Sequence, residues 1–339
     1  MAGNAPEKRR QRRFLPEGSS LHKLSAIVTL VVLIIAFSFT SPAFLSVNNG
    51  LTILLQTSVI GLLAIGMTMV IITGGIDLSV GSILALAGVI AGLTIKMGLP
   101  VLPAMGLGVL TGAACGFVNG MVIAKMRITP FVATLGMMLI ARGIALQLTG
   151  AAPISRLGDA FGVLGNGALF RVVEMQANGF PKVIFPGIPY PAILLLVMAV
   201  LGWYLLQKRQ IGRHIFSVGS NEEAARLSGV NVDRTKIWAY TASGALAGLA
   251  GMVLMSRLVT VQPNEGVMYE LDAIAASVIG GASLMGGVGS ISGSMIGAFI
   301  IGVLRNGLNM AGTSAFIQMI IIGIVVIAAV YIDQIRNKN

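Results

Sequence analysis

Five polar residues in or beside long apolar runs are the candidates for chemistry in this chain: Asp77, Ser79, Asn119, Asp272 and Asn306. A charged or amide side chain is costly in hydrocarbon, so it faces the protein interior, a wet cavity or the interface. Asp77 follows two glycines in GGIDLS. It can cap a helix starting near Leu78, or it can line a solute path with Ser79 beside it, and the two roles are compatible. Asn119 and Asn306 each precede a glycine. Their amides suit either a neighbouring helix or a hydroxyl of a solute. Asp272 has Arg257 as a candidate partner, and Arg142 and Arg305 also lie in or near apolar runs.

Nothing of catalytic pattern accompanies these residues. No Gly-Lys dipeptide occurs, so the phosphate-binding G-x-x-x-x-G-K-[ST] loop is missing and no ATPase of that class is expected. The nucleophile turn G-x-S-x-G is also missing. His22 and His214 lie far apart beside basic residues, and Cys115 is the single cysteine. No disulfide, metal site or cofactor is expected from that set. The expectation is a protein that is not itself an enzyme.

A second polar region is the stretch 208–235. Ser220 and Glu223 have the S-x-x-E spacing of a capping box, in which each side chain satisfies a free backbone N–H of the first turn. Glu222 and Glu223 suit the positive end of a helix dipole, Arg226 suits the negative end, and Gly229 is a stop signal. A short helix over these residues is either a docking element or an ordinary surface helix.

The elements that position these residues are long apolar helices. Of 339 residues 55% are hydrophobic and 10% are charged, and mean hydropathy is +0.90. So few charges cannot cover a water-soluble globule, so the bilayer acts as solvent. About 20 apolar residues cross a hydrocarbon core. On that measure the candidate spans are 24–40, 51–73, 78–97, 100–124, 130–149, 190–207, 236–258, 272–285, 289–311 and 314–332. The segment 272–285 is short and glycine-rich, which suits a broken or re-entrant element. The run 24–40 is too long for a secretory h-region and reads as a retained span.

Charge placement orients the spans. With the N-terminus inside, sixteen of the 23 Lys and Arg residues fall in cytoplasmic pieces, including KRRQRR at 8–13. This is the positive-inside bias, and an even span count returns the C-terminus to the cytoplasm. The net charge of +11 is thus read as topological and as contact with anionic lipid headgroups, not as a nucleic-acid surface. The expected layout is a basic cytoplasmic tail 1–23, one membrane domain 24–332 and a cytoplasmic tail 333–339. The domain includes an external loop 150–189 and a cytoplasmic loop 208–235. The external loop is rich in Gly and Pro and either docks a partner or links two spans. Gly112, Gly116 and Gly120 recur at four-residue spacing, as do Gly244 and Gly248, and Gly293 and Gly297. Such small faces bring helices close, within a chain or between copies. VGS occurs at 80–82 and 288–290, a hint of an internal repeat.

Residues 223–229 read Glu-Ala-Ala-x-x-x-Gly, which resembles the EAA motif of membrane subunits of ABC importers. The likeness covers Glu223, Ala224, Ala225 and Gly229. In that family the short helix sits in a cleft of the ATPase subunit and passes its movement to the spans. GGIDLSVGS at 74–82, NGMVIAKMRITPFVATLG at 119–136 and YELDAIAASVIGGASLMGGVGS at 269–290 resemble the ribose-type sugar permeases. The similarity runs from about residue 24 to the C-terminus. It implies a multi-pass subunit in a bacterial cytoplasmic (inner) membrane. It also implies a homodimer, a cytoplasmic ATPase partner and a periplasmic or extracellular sugar-binding protein, with ribose the first candidate. An ion-gradient-driven secondary transporter, with Asp77 or Asp272 as coupling acid, is the alternative left open by the residues.

Overall fold

A chain in hydrocarbon must satisfy its backbone polar groups internally, and apolar runs of this length do so as helices. The computed structural model describes residues 17–175 and 181–338. The basic cluster at 8–13 lies outside the described residues. All ten apolar runs of the sequence coincide with a helix. These are α1 (Glu17–Ser38), α2 (Val47–Ile72), α3 (Val80–Lys96), α4 (Val101–Lys125), α5 (Pro130–Thr149), α7 (Tyr190–Lys208), α10 (Val232–Leu258), α11 (Tyr269–Ile279), α12 (Ile291–Met310) and α13 (Ala315–Lys338). Between them lie α6 (Asp159–Asn166), α8 (Gln210–Ser220) and α9 (Glu222–Leu227).

Among the described residues six helices are long and apolar enough to cross a membrane: α2, α4, α5, α7, α10 and α12. Shorter apolar stretches lie in α1, α3 and α13. α1 begins at Glu17 and α13 runs to Lys338, so helix extends past both expected tail boundaries. The segment 272–285 is the weak element the sequence marked. Its helix α11 has 11 residues, about 16 Å of rise against a core of about 30 Å. It ends in a glycine-rich turn, 280–290, whose Gly287 N–H donates to the carbonyl of Ile72 at 2.9 Å.

The all-helical expectation is modified in the loop 150–189. There β1 (Ala168–Leu169) pairs antiparallel with β4 (Ile188–Pro189), and β2 (Val172–Met175) pairs antiparallel with β3 (Pro181–Phe185). The register of the second pair is irregular at Val172/Val173. The loop is seated on the end of α10. Ser256 Oγ accepts from the Gly165 N–H at 2.7 Å and donates to the Phe161 carbonyl at 2.5 Å. A backbone bridge joins Ile154 to Val261. α9 adjoins the first turn of α10 and α6 its last, so the two polar loops lie at opposite ends of that helix.

The most extensive helix contact is between α4 and α10. A Cβ on Gly116 would strike the Tyr240 carbonyl and lie 3.0 Å from Gly244 Cα. A Cβ on Gly244 would strike the Gly112 carbonyl and lie 2.8 Å from Gly116 Cα. The four-residue glycine spacing is therefore an intrachain seam. Backbone-to-backbone approach of this kind replaces the hydrophobic drive that lipid abolishes. α2 is buried along most of its length and forms the centre of the core with α3 and α10.

Gly116→Leu is expected to destabilise the protein by about 1–3 kcal/mol or more, as overpacking does. Gly136→Ala, at a helical glycine with open space around it, is expected to be neutral or stabilising by up to about 1 kcal/mol. Thermal unfolding of the detergent-solubilised protein checks both.

Candidate coupling helix and buried polar clusters

The helix foreseen over the 208–235 loop is α9, and its start is set by a different residue. Asn221, not Ser220, is the N-cap. Its Oδ1 accepts from the Ala224 N–H at 2.9 Å. Ser220 is instead the last residue of α8, an amphipathic helix within the polar stretch 208–235 that buries Gly212, Ile215 and Val218. Its N–H is already inside a helix, so no capping box with Glu223 can form. Asn221 belongs to the cap-forming residue types, and that signal could have found it.

The stop is as expected. Gly229 has φ +82°, and its N–H donates to the Arg226 carbonyl at 3.1 Å. The Val230 N–H donates to the Ala225 carbonyl at 3.0 Å. This pair of bonds is the Schellman arrangement, completed by packing of Val230 with Ala225, Val218 and Val232. The two motif alanines thus part company. Ala225 is buried and seats the helix on its own subunit, whereas Ala224 is exposed. Beside Ala224 the surface carries Glu223 and Leu227, the latter 85% exposed. An exposed leucine on a six-residue helix is a feature that the motif did not flag.

Glu222 ties α9 to the membrane helices. Its carboxylate accepts from Lys236 at 2.6 Å and from Arg226 at 3.2 Å. The hydrogen bond from Lys236 is the main reason its carboxyl is held below the usual carboxylate range. Lys236 belongs to the second turn of α10, so the bond crosses from the short helix to the long one. Lys125, the last residue of α4, pairs with Asp233 of α10 at 3.3 Å. A cleft of about 660 Å³ lies beside α9, lined by Arg127, Thr129, Glu222, Glu223, Arg226 and Lys236 among others.

Three of the five membrane candidates come together in one network. Asp77 Oδ1 accepts from the Ser79 N–H at 3.0 Å and from Ser79 Oγ at 2.5 Å. Asn119 Nδ2 donates to Ser79 Oγ at 2.9 Å. Ser243 of α10, missed in the sequence, donates to Asp77 Oδ2 at 2.9 Å. All four side chains are buried. The helix here starts at Val80 with Ser79 at its N-cap, and Asp77 links Ser79 to Ser243 of α10. Ser79 holds the N-cap position without a side-chain cap bond. Asn119 reaches the α2–α3 connection from α4, and the cluster joins that connection to α4 and α10.

Asp272 and Asn306 lie outside that network. Asp272 is 1% exposed and pairs with Arg305 at 2.6 Å, in place of the expected Arg257. α11 and α12 lie side by side with Gly297 against Ala276, which brings Arg305 level with Asp272. Arg257 sits in the last turn of α10. Asn306 is buried beside Arg305, and its Oδ1 has no hydrogen-bond partner among the described residues.

A bundle of membrane-length helices with a capped, exposed helix at one end and buried polar clusters inside defines a multi-pass transport-type membrane protein. Residues 49–330 match the family described as branched-chain amino acid transport system / permease component, and the chain belongs to that family. It is 44% identical over 317 residues to ribose import permease protein RbsC of Bacillus subtilis, covering 94% of each chain. It is 38% identical over 327 residues to fructose import permease protein FrcC of Rhizobium meliloti, covering 94% of this chain and 88% of that one. It is 35% identical over 360 residues to xylose transport system permease protein XylH of Haemophilus influenzae, covering 92% and 96%. No solved structure matches the chain.

Asn221→Ala is expected to cost α9 about 1 kcal/mol and Ser220→Ala much less. Hydrogen exchange at the Ala224 and Ala225 amides distinguishes them: the first substitution speeds it and the second leaves it near the wild-type rate.

Proposed function

We propose that this chain is the membrane-spanning permease subunit of an ATP-driven importer that carries a monosaccharide, ribose or a close relative, across a bacterial cytoplasmic membrane. The observation that carries the reading is α9: a doubly capped, exposed helix, tied by an ion pair to α10, in a chain that matches a ribose permease over nearly its whole length. The family description names amino acids, but the relatives that match end to end carry sugar names. ATP hydrolysis belongs to a separate cytoplasmic subunit. Glu223, Ala224 and Leu227 form the face that subunit grips, and Glu222 passes its movement to α10 through Lys236.

Further parts of the reading follow from that role. The chain makes about ten membrane segments with both termini cytoplasmic, and it works as a homodimer. An external sugar-binding protein docks at the 150–189 end, where Phe170, Met175 and Ile184 are exposed apolar side chains. Asp77, Ser79 and Asn119 hold the elements that move, while Asp272 and Asn306 belong to the helices that border the solute path, Asp272 by holding Arg305. The ion-gradient alternative is set aside. Asp77 is held by Ser79 and Ser243, Asp272 is held by Arg305, and the matching relatives are permeases of import and transport systems.

Leu227→Asp and Glu223→Arg are expected to lower sugar uptake at least about tenfold, a loss of ~1.4 kcal/mol or more in coupling, by weakening ATPase association. Glu222→Gln is expected to leave that association intact and to lower sugar moved per ATP hydrolysed. Pull-down of the ATPase subunit and uptake into proteoliposomes check these outcomes. Uptake driven by an ion gradient with no ATPase present would overturn the reading.

A further inference from the structure

A cavity of about 160 Å³ lies among α2, α10, α11, α12 and α13. Its polar lining is Gln56, Arg257, Tyr269, Arg305, Asn309 and Gln318. It sits toward the end of α10 that carries the 150–189 loop, since Arg257 is in that helix's last turn. Six polar side chains from five helices meeting inside a membrane domain are expensive to keep without a role.

The groups are also incompletely used. Arg305 donates from one Nη to Asp272, yet its Nε and Asp272 Oδ1 are buried with no hydrogen-bond partner among the described residues. Gln318 Nε2 donates to Asn309 Oδ1 at 2.8 Å and to the Thr313 carbonyl at 3.0 Å. That pairing leaves an acceptor on Gln318 and a donor on Asn309. Buried polar groups are normally paired, so the open positions on the Arg305–Asp272 ion pair mark a place for a ligand or for water, and the exposed amide of Asn309 lies at its edge. Asp272 meets the Arg305 charge, and Arg257 adds a second guanidinium whose N–H groups can donate to hydroxyls. Adjacent donors and acceptors on amides match the vicinal hydroxyls of a sugar ring. A cavity of about 150 Å³ admits the bare ring of benzene, so this one has room for one ring and not two, and a sugar's hydroxyls would have to seat against the polar lining.

We propose that this cavity is a binding subsite for one neutral, ring-form monosaccharide on its way through the subunit. Arg305, Asn309, Gln318 and Gln56 contact its hydroxyls, and Asp272 is the positioning residue that holds Arg305. The proposal rests on the sugar-importer reading and adds to it a place in the chain where the sugar pauses. Gly302 on the cavity wall lets α12 approach α2 closely, because a Cβ there would strike Thr57 Oγ1.

The test uses the assembled transporter in proteoliposomes. Cys115 is the single cysteine, so Cys115→Ser gives a clean background for Asn309→Cys, with Gln318→Cys as a second position should the first fail to fold. Saturating ribose is expected to slow thiol labelling at the new cysteine about tenfold, and adding Gln56→Leu to raise the ribose concentration for half-protection by about tenfold. Labelling unaffected by ribose, or slowed by leucine but not by ribose, overturns the subsite. Ribose uptake with unprotected labelling overturns the subsite alone. No uptake of ribose, xylose or fructose by the wild-type complex overturns the importer reading and the subsite with it.

Discussion

The α4–α10 seam is the contact on which much else depends. Lipid is as apolar as leucine, so helices in it gain little from hiding hydrophobic surface and associate through close packing instead. Gly112, Gly116, Gly244 and Gly248 let two backbones meet. That distance fixes the rotation of both helices. It places Asn119 of α4 and Ser243 of α10 on the same buried polar cluster, where they reach Ser79 and Asp77 from two sides. It also brings Lys125 beside Asp233 at the same end of the pair.

α9 is joined to the long helices by a continuous set of contacts. Ala225 seats the short helix by packing, and Glu222 fastens it to α10 by charge. α10 is in turn locked to α4 along the glycine seam. These contacts run from α9 to both long helices and, through the Asp77 cluster, to the unwound connection between α2 and α3. The neighbouring α8 touches the ends of other elements: a Cβ on its Gly219 would strike the Ile72 carbonyl, the same group that accepts from Gly287. The α11–α12 pair is thus joined to the same end of the bundle, while Asp272 and Arg305 lie toward the other.

Residue by residue, legibility divides along chain distance. Gly229 was legible as a stop because the signal is a single residue type with one favoured conformation. Asn221 was equally available, yet the more familiar Ser-x-x-Glu spacing one residue earlier drew the cap to Ser220. The glycine repeats were legible as contact faces but not as to which faces meet. Asp272 illustrates the difficulty. Arg257 is nearer in sequence than Arg305, and only the side-by-side packing of α11 and α12 decides between them.

Composition and pattern settled the membrane setting, the positions of the apolar helices and the short polar helix, because each of these is written within some twenty consecutive residues. Tertiary structure decided that Ser243 meets Asp77 across 166 positions, that Arg305 neutralises Asp272, and that a polar cavity opens among five helices. Those pairings depend on how far each helix is rotated and slid against its neighbours. In hydrocarbon that is set by small-residue packing between distant segments, which no local window contains.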